Sequence, residues 1–402
     1  MKALILAAGG GTNMAPFSVT RPKPMVHVAG RPVLYRALST LRESGFSEVY
    51  LVTGQNGKAV TDYFGSGQSM NLSITYLQQK KTSGIGDAIL TAKSRFVPGE
   101  HFLLVYSDVL TDENMAANIQ QVFGLTGQPV ASICLTKESA AFGNVYLDTA
   151  MNITKIVEKP GRKDLGNYVL AGMYILPYSF FGILEKNGGD MAKSLTTLIK
   201  AEGLKATIWE KGWLDIACPW DILAANKMIM DSWHSANVHE SVKMRDAKIK
   251  GPVHIEEDVE IRSGAVIQGP AFIGRGSYIG NNVLIRQYSS LGAESVVGFG
   301  VELKNCVLFG RSTVGRLSFI GDSVIGEGVS IGSGTMTINR HMDESTVKVR
   351  INRRLVDSNM GKLGAFIGDG AALGSGHTIA PGSVVEAGRT VPHNLTFPKN
   401  GR

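Results

Sequence analysis

The chain has 402 residues, of which 44% are apolar, and it carries a formal net charge of +7 with an isoelectric point near 9.2. Length and composition predict an ordinary folded protein of two or three domains. Since the first apolar run (residues 3–8) is too short for a signal peptide and no run is long enough to span a bilayer, we expect a cytoplasmic protein without a membrane partner. Cys134, Cys218 and Cys306 are too few and too scattered for a disulfide framework or a zinc site.

The first predicted strand runs directly into three consecutive glycines. Gly9, Gly10 and Gly11 follow the apolar residues 3–8, and Lys23 stands between two prolines in the segment 21–24. Glycines let the backbone approach a ligand and aim its N–H groups at oxyanions, while the lysine adds a mobile positive charge. Neither G-x-x-x-x-G-K-[ST] nor G-x-G-x-x-G fits the spacing. The segment therefore predicts a phosphate cradle of another kind, and a glycine-rich turn without a ligand is the alternative.

A phosphorylated small molecule is the partner that the charge pattern favours. Apart from residues 340–362, the basic side chains are spread along the chain instead of forming one patch. Phosphorylated small molecules explain the positive balance as well as nucleic acid does, and the glycine loop already calls for them. We therefore expect no nucleic-acid partner.

From residue 1 to about residue 233, strands alternate with helices. An amphipathic helix over residues 33–41 is followed by Gly45 and by a strand at residues 49–53, and another strand, residues 102–106, leads to Asp108. In an open parallel sheet, ligands bind at the carboxyl ends of the strands, so the glycine loop and Asp108 should lie together. The pattern predicts a βαβ nucleotide-binding domain over residues 1–232, joined by a linker, residues 233–246, to a second domain, residues 247–402.

The second half repeats with a period of six residues. The repeated large apolar positions are Ile249, Ile255, Ile261, Ile267, Ile273, Ile279, Ile285, Leu291, Val297, Leu303 and Phe309, and the pattern returns at Ile367, Leu373, Ile379, Val385 and Val391. Between the two runs it falters, because Gly315 stands where an aliphatic residue is due and residues 340–363 read as a long basic loop. This is the hexapeptide pattern of a β-helix, in which each aliphatic residue stacks on its equivalents in neighbouring coils.

Both halves resemble one known family. Leu6 to Gly9, Gly11, Thr12, Pro16 and Pro22 to Pro24 match the signature L-A-A-G-x-G-T-R-x-x-P-x-T-x-x-x-P-K-P of sugar-1-phosphate nucleotidylyltransferases. With the hexapeptide repeat, the whole chain resembles the bifunctional nucleotidylyltransferase and glucosamine-1-phosphate acetyltransferase family, in particular the archaeal UDP-N-acetylglucosamine pyrophosphorylases. The resemblance implies a Rossmann-like domain followed by a left-handed β-helix, usually as a homotrimer. It also implies a nucleoside triphosphate and a sugar 1-phosphate as substrates, Mg²⁺ as cofactor, and a UDP- or dTDP-sugar of the N-acetylglucosamine or glucose type as product.

The resemblance also assigns site residues in the first domain. It implies catalytic roles for Lys23, Asp108 and Asp215, with the two aspartates as magnesium ligands, although an isolated aspartate at a strand end often caps a helix or turn instead. The implied nucleotide site is Leu6, Ala7, Ala8, Gly9, Gly10, Gly11, Thr12, Lys23, Gln78 and Gly84, and the implied sugar site is Gly143, Glu158, Lys159 and Gly172. Asn13, Ile85 and Leu170 depart from the family's arginine, threonine and asparagine.

The β-helix departs further from the family. Arg286, Lys304, Asn339 and Lys348 match positions that hold the sugar phosphate and ring, but Arg316 replaces the family's catalytic histidine and Phe319 its tyrosine. An arginine stays protonated and cannot act as a general base, so we expect acetyl transfer to be lost, while a sugar phosphate or acetyl-CoA could still bind. His341 and His377 are expected to be surface histidines. Two alternatives stay open: a β-helix that only oligomerises the protein, and a non-catalytic paralogue that binds nucleotide sugar and regulates or scaffolds an active homologue.

Overall fold

The structure, a computed structural model, describes residues 1–80, 84–136, 139–158, 166 and 168–395. The chain forms two structural units, and each is discontinuous in sequence. The first contains Met1–Gly10, Pro22–Met25 and Val33–Asp215, and the second contains Gly11–Arg21, Val26–Pro32 and Ile216–Arg402. The boundaries predicted from the sequence follow the chain continuously, whereas Gly11–Arg21, Val26–Pro32 and residues 216–232 of the predicted first domain belong to the second unit.

Strands and helices alternate through residues 1–215, as the sequence pattern indicates. The strands are β1 (Lys2–Ala7), β2 (His27–Val28), β3 (Arg31–Pro32), β4 (Glu48–Thr53), β5 (Ser73–Gln78), β6 (His101–Tyr106), β7 (Val109–Thr111), β8 (Val130–Leu135), β9 (Gly143–Leu147), β10 (Ile153–Glu158), β11 (Tyr168–Pro177), β12 (Lys205–Trp209) and β13 (Trp213–Asp215). The helices are α1 (Val33–Glu43), α2 (Lys58–Phe64), α3 (Ile85–Leu90), α4 (Met115–Thr126), α5 (Ser179–Lys186) and α6 (Met191–Ala201).

The first unit is built on a nine-stranded sheet. Its main path is β10-β9-β11-β6-β1-β4-β5, with β8 paired to β11 and β12 to β8. Strands β1, β4, β5 and β6 are parallel, and β11 joins β6 in the opposite direction. Successive residues of β1 enter opposite cores, since Leu4 and Ile5 are both fully buried but belong to different hydrophobic clusters. Burial on both faces explains the continuous apolar runs, and it confirms the predicted Rossmann-like domain.

In the described part of the second unit, one α-helix is followed by a long series of short strands. The helix is α7 (Asp221–Asp231). The strands before the basic loop are β14 (Asn237–Val238), β15 (Lys243–Met244), β16 (Lys248–Lys250), β17 (Val253–Ile255), β18 (Glu260–Ile261), β19 (Val266–Gln268), β20 (Ala271–Ile273), β21 (Tyr278–Ile279), β22 (Leu284–Ile285), β23 (Ser289–Leu291), β24 (Val296–Val297), β25 (Glu302–Lys304), β26 (Val307–Leu308), β27 (Thr313–Val314), β28 (Phe319–Gly321), β29 (Val324–Ile325), β30 (Ser330–Ile331) and β31 (Met336–Thr337). They are followed by β32 (Lys348–Ile351), β33 (Arg354–Asp357), β34 (Phe366–Ile367), β35 (Ala372–Leu373), β36 (Thr378–Ile379), β37 (Val384–Val385) and β38 (Thr390–Val391).

These strands form the predicted left-handed β-helix. If the hairpin β32–β33 is left out of the count, every third strand pairs in parallel with the one a coil later, which gives three sheets of eight, eight and seven strands. The side chains of Ile255, Ile273 and Leu291 stack as register partners in the first sheet, and all three are buried. The expected linker, residues 233–246, contains β14 and β15, which already pair with β17 and β18.

One residue of the predicted apolar series is wrong. Leu308, not Phe309, is the register partner of Leu291, and Ile325 follows on Leu308. The spacing in this sheet is 18 residues from Ile273 to Leu291 and 17 residues in each of the next two coils. Because these coils are one residue short, counting by six overruns the true inner position by one. The same shortening explains Gly315, since Val314 occupies the inner position beside it.

The basic loop leaves the β-helix and returns to the same place. The backbone N–H of Leu363 bonds to the carbonyl of Asn339, so the excursion closes on itself. Within it, β32 and β33 form an antiparallel hairpin. Val347, just before β32, and Val349 and Ile351 within it are buried, while Lys348 and Arg350, which alternate with them, are exposed. No helix in the described residues is both long and apolar enough to cross a membrane.

His27, in β2, is a titratable group with an unusual setting in the second unit. Its ring meets that of Phe309 edge to face, with the centroids 5.7 Å apart, and its buried Nδ1 has no hydrogen-bond partner among the described residues. Burial, assisted by the positive charges of Arg21 and Arg31, lowers the pKa of His27 from its ordinary value of 6.5 to about 4. The folded protein thus holds this imidazole neutral.

We expect the free energy of unfolding to fall as the pH drops from 6.5 towards 4, because the unfolded chain then binds a proton at His27 that the folded chain excludes. The lowered pKa of His27 corresponds to a loss of unfolding free energy on the order of 3 kcal/mol at the acid end of this range. Urea unfolding at pH 7 and pH 4.5 should show a smaller pH effect in His27→Phe than in the wild type. His239→Gln, at an exposed histidine, is the control, and identical pH effects in wild type and His27→Phe would contradict the assignment.

Candidate functional site

A cavity of about 300 Å³ opens where the glycine loop meets the sheet edge. It is lined by Leu6, Ala8, Gly9, Gly10, Lys23, Pro24, Gln79, Gly84, Ile85, Ala88, Tyr106, Ser107 and Asp108. Strands β1 and β6 are adjacent and parallel, so the residues that follow them, Gly9 and Asp108, share this edge. A Cβ added to Gly9 or Gly10 would meet no other atom within 4 Å, so the glycine backbone faces open space that a ligand can enter.

A larger cavity of about 580 Å³ adjoins the first and shares Gly84, Ile85, Tyr106 and Asp108 with it. Its other lining residues are Val109, Ala141, Phe142, Gly143, Glu158, Leu170, Gly172, Tyr174, Gly189, Asp190, Met191, Ala192, Leu195, Trp213 and Asp215. Asp108 therefore lies at the junction of the two cavities.

Lys23, Asp108 and Asp215 form one charged cluster at this junction. The Lys23 Nζ is 2.7 Å from Asp108 Oδ2 and 4.0 Å from Asp215 Oδ1, and all three side chains are at least two-thirds buried. Asp215 ends β13, which pairs with β7 directly after Asp108, so the sheet ladder brings the two carboxylates together. The lysine lines the smaller cavity and Asp215 the larger.

The carboxylate pair fits a divalent cation. Oxygens of both aspartates already approach one ammonium group, so they converge on a point where a cation is stabilised. Among the described residues, no group of three or more His, Cys, Asp or Glu side chains could hold a metal ion. Two carboxylates completed by substrate phosphates are nevertheless an ordinary donor set for Mg²⁺.

The structure places most of the predicted sugar residues on the larger cavity. Gly143, Glu158 and Gly172 all line it, and Gly172 has a φ of 82°, a conformation that favours glycine. A Cβ at Gly172 would also come within 2.8 Å of Val109. Lys159 lies outside the described residues.

The predicted nucleotide residues are divided. Leu6, Ala8, Gly9, Gly10, Lys23 and Gly84 line the smaller cavity, and Ala7 is buried at the end of β1. Gly11 and Thr12 belong to the second unit. Gln78 is exposed and does not line the cavity, whereas the next residue, Gln79, does and is buried.

Sequence reasoning missed several cavity residues. Gln79 donates from Nε2 to Asp87 Oδ2 at 2.8 Å and to the Gly84 carbonyl at 3.2 Å, which fixes its amide at the cavity wall. Strand alternation could have found it, because Gln79 lies two residues after buried Leu77, in register with the inward face. The rings of Phe142 and Trp213 meet edge to face with their centroids 5.2 Å apart, and they form an aromatic wall of the larger cavity.

A pair of tyrosines, buried Tyr174 and half-buried Tyr106, was also missed. Tyr106 and Tyr174 hydrogen-bond to each other and line the larger cavity, and burial raises the pKa of both hydroxyls. Both are therefore neutral and can donate hydrogen bonds. The two departures from the family that lie here, Ile85 and Leu170, make part of the wall apolar.

The structure brings together only two of the residues predicted for the β-helix, Lys304 and Asn339. Lys304 Nζ lies 3.3 Å from Asp322 Oδ2, and Asn339 donates to the same oxygen at 2.6 Å, so buried Asp322 joins these two predicted residues. Arg286 pairs instead with Glu302 at 2.9 Å. Arg316 and Lys348 are exposed.

A separate cavity of about 490 Å³ in the second unit includes Asn339 and is lined by Phe319, Met336, Thr337, Ile338, Asn339, Arg340, His341, Met342 and Glu344. Asn339 is thus the one predicted residue that this cavity shares with the Asp322 cluster. His341 lines it as well, while His377 Nε2 lies 2.8 Å from the Pro392 carbonyl.

Comparison with known proteins agrees with this architecture. Residues 2–232 match the family model Nucleotidyl transferase, and residues 267–358 match the GMPPB C-terminal domain. The chain is 34% identical to a bifunctional sugar-1-phosphate nucleotidylyltransferase/acetyltransferase of Sulfurisphaera tokodaii, over 92% of this chain and 90% of that protein. It is 32% identical to the bifunctional protein GlmU of Methanocaldococcus jannaschii, over 92% and 88%.

The solved structure of UTP-bound UGPase from Acinetobacter baumannii shares the fold, with a TM-score of 0.52 and 21% identity over 56% of this chain and 91% of that one. The protein therefore belongs to the nucleotidyl transferase family, within the group of bifunctional sugar-1-phosphate nucleotidylyltransferase/acetyltransferase relatives. The resemblance inferred from the sequence is confirmed.

Replacing Lys23 by alanine should lower kcat/KM for nucleotidyl transfer about 10²- to 10³-fold, because a preorganised cation is removed from the place where phosphate charge develops. Lys93→Ala is the matched control, since Lys93 also lies 2.7 Å from a carboxylate, that of Glu185, but lines neither cavity. The rates are measured by pyrophosphate release. Equal effects of the two substitutions would show that Lys23 has no special role.

Proposed function

We propose that the protein is a Mg²⁺-dependent sugar-1-phosphate nucleotidylyltransferase that makes a UDP- or dTDP-sugar of the N-acetylglucosamine or glucose type. The position of Asp108 carries the proposal. It lines both cavities, with Lys23 on the smaller cavity and Asp215 on the larger. A nucleoside triphosphate in the smaller cavity and a sugar 1-phosphate in the larger would bring their reacting phosphates to the same charged cluster.

The chemistry needs positioning and charge stabilisation more than proton transfer. A sugar-1-phosphate oxygen attacks the α-phosphorus in line, the new phosphoanhydride bond forms, and pyrophosphate leaves with the electron pair of the broken bond. Gly9 and Gly10 present backbone to the triphosphate, and Lys23 stabilises the negative charge that develops on it. Asp108 and Asp215 would hold Mg²⁺, which neutralises phosphate charge when bound. Since the attacking phosphate is already ionised, no side-chain base is required.

The walls of the larger cavity are consistent with a hexose that carries an apolar substituent. The aromatic pair Phe142–Trp213 offers a surface for the C–H face of a sugar ring, and Leu170 and Met191 could contact the methyl group of an acetamido substituent. Tyr106 and Tyr174 supply hydroxyl groups, and the carboxylate of Glu158 can accept hydrogen bonds from sugar hydroxyls.

The proposal is tested by pyrophosphate release over a matrix of nucleoside triphosphates and sugar 1-phosphates. We expect turnover with UTP or dTTP and with glucose 1-phosphate or N-acetylglucosamine 1-phosphate, and loss of turnover when EDTA removes the metal. Asp108→Asn, which keeps the shape but removes the charge, should abolish most of it. No turnover in any pairing, with Mg²⁺ or Mn²⁺ supplied, would end this proposal.

The non-catalytic alternative rests on substitutions where the family does its chemistry, at Asn13, Ile85, Leu170, Arg316 and Phe319. Asn13→Arg separates the two functions. A slow enzyme should gain rate from the added phosphate ligand, by about 10²-fold if one electrostatic contact is restored. A regulatory protein should gain little, and an active homologue should then purify with it.

We further propose that the β-helix does not acetylate glucosamine 1-phosphate. The substrate amine is mostly protonated at neutral pH, so attack on a thioester requires a proton acceptor, and Arg316 cannot be one. Loss of a general base lowers the rate about 10²- to 10⁴-fold, so thiol release from acetyl-CoA should stay near background. Robust release that disappears in His341→Ala or His377→Ala would identify another base. We also propose that the protein is a cytoplasmic homotrimer, as expected from the sequence.

A further inference from the structure

The larger cavity offers many hydrogen-bond acceptors but few donors, and all of its lining residues belong to the first unit. The acceptors among its side chains are the carboxylates of Asp108, Glu158, Asp190 and Asp215. Among the described lining side chains, the donors are the indole N–H of Trp213 and the hydroxyls of Tyr106 and Tyr174. A ligand group that can only accept hydrogen bonds therefore has few possible partners among these side chains.

Two of these three donors are already used within the protein. Trp213 Nε1 donates to the Ala171 carbonyl at 3.0 Å. Burial raises the pKa of both tyrosines, and their mutual hydrogen bond raises the pKa of Tyr174 further while it opposes the rise at Tyr106. A hydrogen bond has these opposite effects when Tyr174 donates and Tyr106 accepts. Of the three described donors, the Tyr106 hydroxyl is thus the one whose proton remains for a ligand.

Strand β11 holds Tyr174 against the cavity. Leu170, Gly172 and Tyr174 alternate along this strand and all line the cavity, and Leu170 has no polar group to offer. The Tyr174 side chain is buried, and its ring centroid lies 5.8 Å from that of Tyr106. A Cβ at Gly172 would come within 3.3 Å of the Tyr106 ring, so the glycine leaves room for that ring. The close packing limits how far either hydroxyl can move.

We propose that Tyr174 is a positioning residue that makes this site prefer a sugar 1-phosphate with an N-acyl substituent to one with a hydroxyl in its place. The acyl oxygen can only accept a hydrogen bond, whereas a sugar hydroxyl can donate to one of the carboxylates instead. By donating to the Tyr106 oxygen, Tyr174 directs the Tyr106 proton towards the acyl oxygen and makes it a stronger donor.

This inference rests on the proposed nucleotidylyltransferase function. It deepens that function, because it selects N-acetylglucosamine 1-phosphate over glucose 1-phosphate as the preferred sugar substrate.

The test uses Tyr174→Phe, which keeps the ring and removes the hydroxyl. Pyrophosphate release with one nucleoside triphosphate gives kcat/KM for each of the two sugar 1-phosphates, and we expect the wild type to prefer the N-acetylated one. In Tyr174→Phe this preference should fall about 3- to 10-fold, as expected for one lost hydrogen bond, while kcat/KM for glucose 1-phosphate changes less than about twofold.

Tyr50→Phe is the matched control. Tyr50 is also a buried tyrosine of the first unit, and its hydroxyl donates to Glu48 Oε1 at 2.5 Å, but it is not among the residues that line either cavity. The Tyr50→Phe protein should keep the preference of the wild type.

A merely structural role predicts a different pattern. A partly unfolded protein loses active molecules, which lowers the apparent kcat for both sugars equally and leaves their ratio unchanged. If Tyr174 acts through Tyr106, the double variant Tyr106→Phe/Tyr174→Phe should have the same preference as Tyr106→Phe alone. An unchanged preference in Tyr174→Phe, a further fall in the double variant, or a wild type that prefers glucose 1-phosphate would overturn the proposal.

Failure of the proposed function can be told apart from failure of this inference. If the wild type turns over no pair of substrates, the same variants are compared by titration calorimetry with UDP-N-acetylglucosamine and with UDP-glucose in the presence of Mg²⁺. Tighter binding of the N-acetylated compound by the wild type, with the preference reduced about 3- to 10-fold in Tyr174→Phe, supports the positioning role by itself. An equal preference in the two proteins, or no binding of either compound by the wild type, overturns it.

Discussion

The parallel pairing of β1 with β4 and β6 is the constraint on which the site depends. Strands that pair in parallel run in the same direction, so their carboxyl ends lie at the same edge of the sheet. At this edge the backbone N–H and C=O groups no longer form interstrand hydrogen bonds, so they can bond to a ligand. The glycines after β1 and Asp108 after β6 occupy this edge, and β13 adds Asp215 through its pairing with β7.

The β-helix obeys a second constraint, because each coil must place an apolar side chain over the one below. A coil of 17 residues satisfies this as well as a coil of 18, since the turn between two strands can lose a residue without disturbing the stack. The lost residue changes what faces outwards. It gives the inner position to Leu308 and leaves Phe309 to contact Phe17 and Arg21, so a small change in coil length creates an attachment surface.

Local patterns predicted the parts of the structure that are determined locally. The buried strand before the glycines and the sixfold apolar period follow from burial and stacking, and the sequence shows both directly. The period could not reveal Leu308, because a missing residue changes the phase without changing the residue types. The choice between Gln78 and Gln79 depended on strand register. The pair Arg21–Asp369 joins residues 348 positions apart, and no local pattern contains such information.

The turn that begins at Gly11 separates the shape of the predicted phosphate loop from its charge. Asn13 removes a positive charge that the family has, but it lies in a short turn that other residues maintain. The backbone N–H of Met14 bonds to the Gly11 carbonyl at 2.8 Å, Met14 is fully buried, and Gly11 has a φ of 57°. None of these features involves the side chain of Asn13. Under the proposed function, the substitution would weaken electrostatic attraction for phosphate while the backbone of this turn keeps its conformation, which is why restoring the charge alone is a meaningful change.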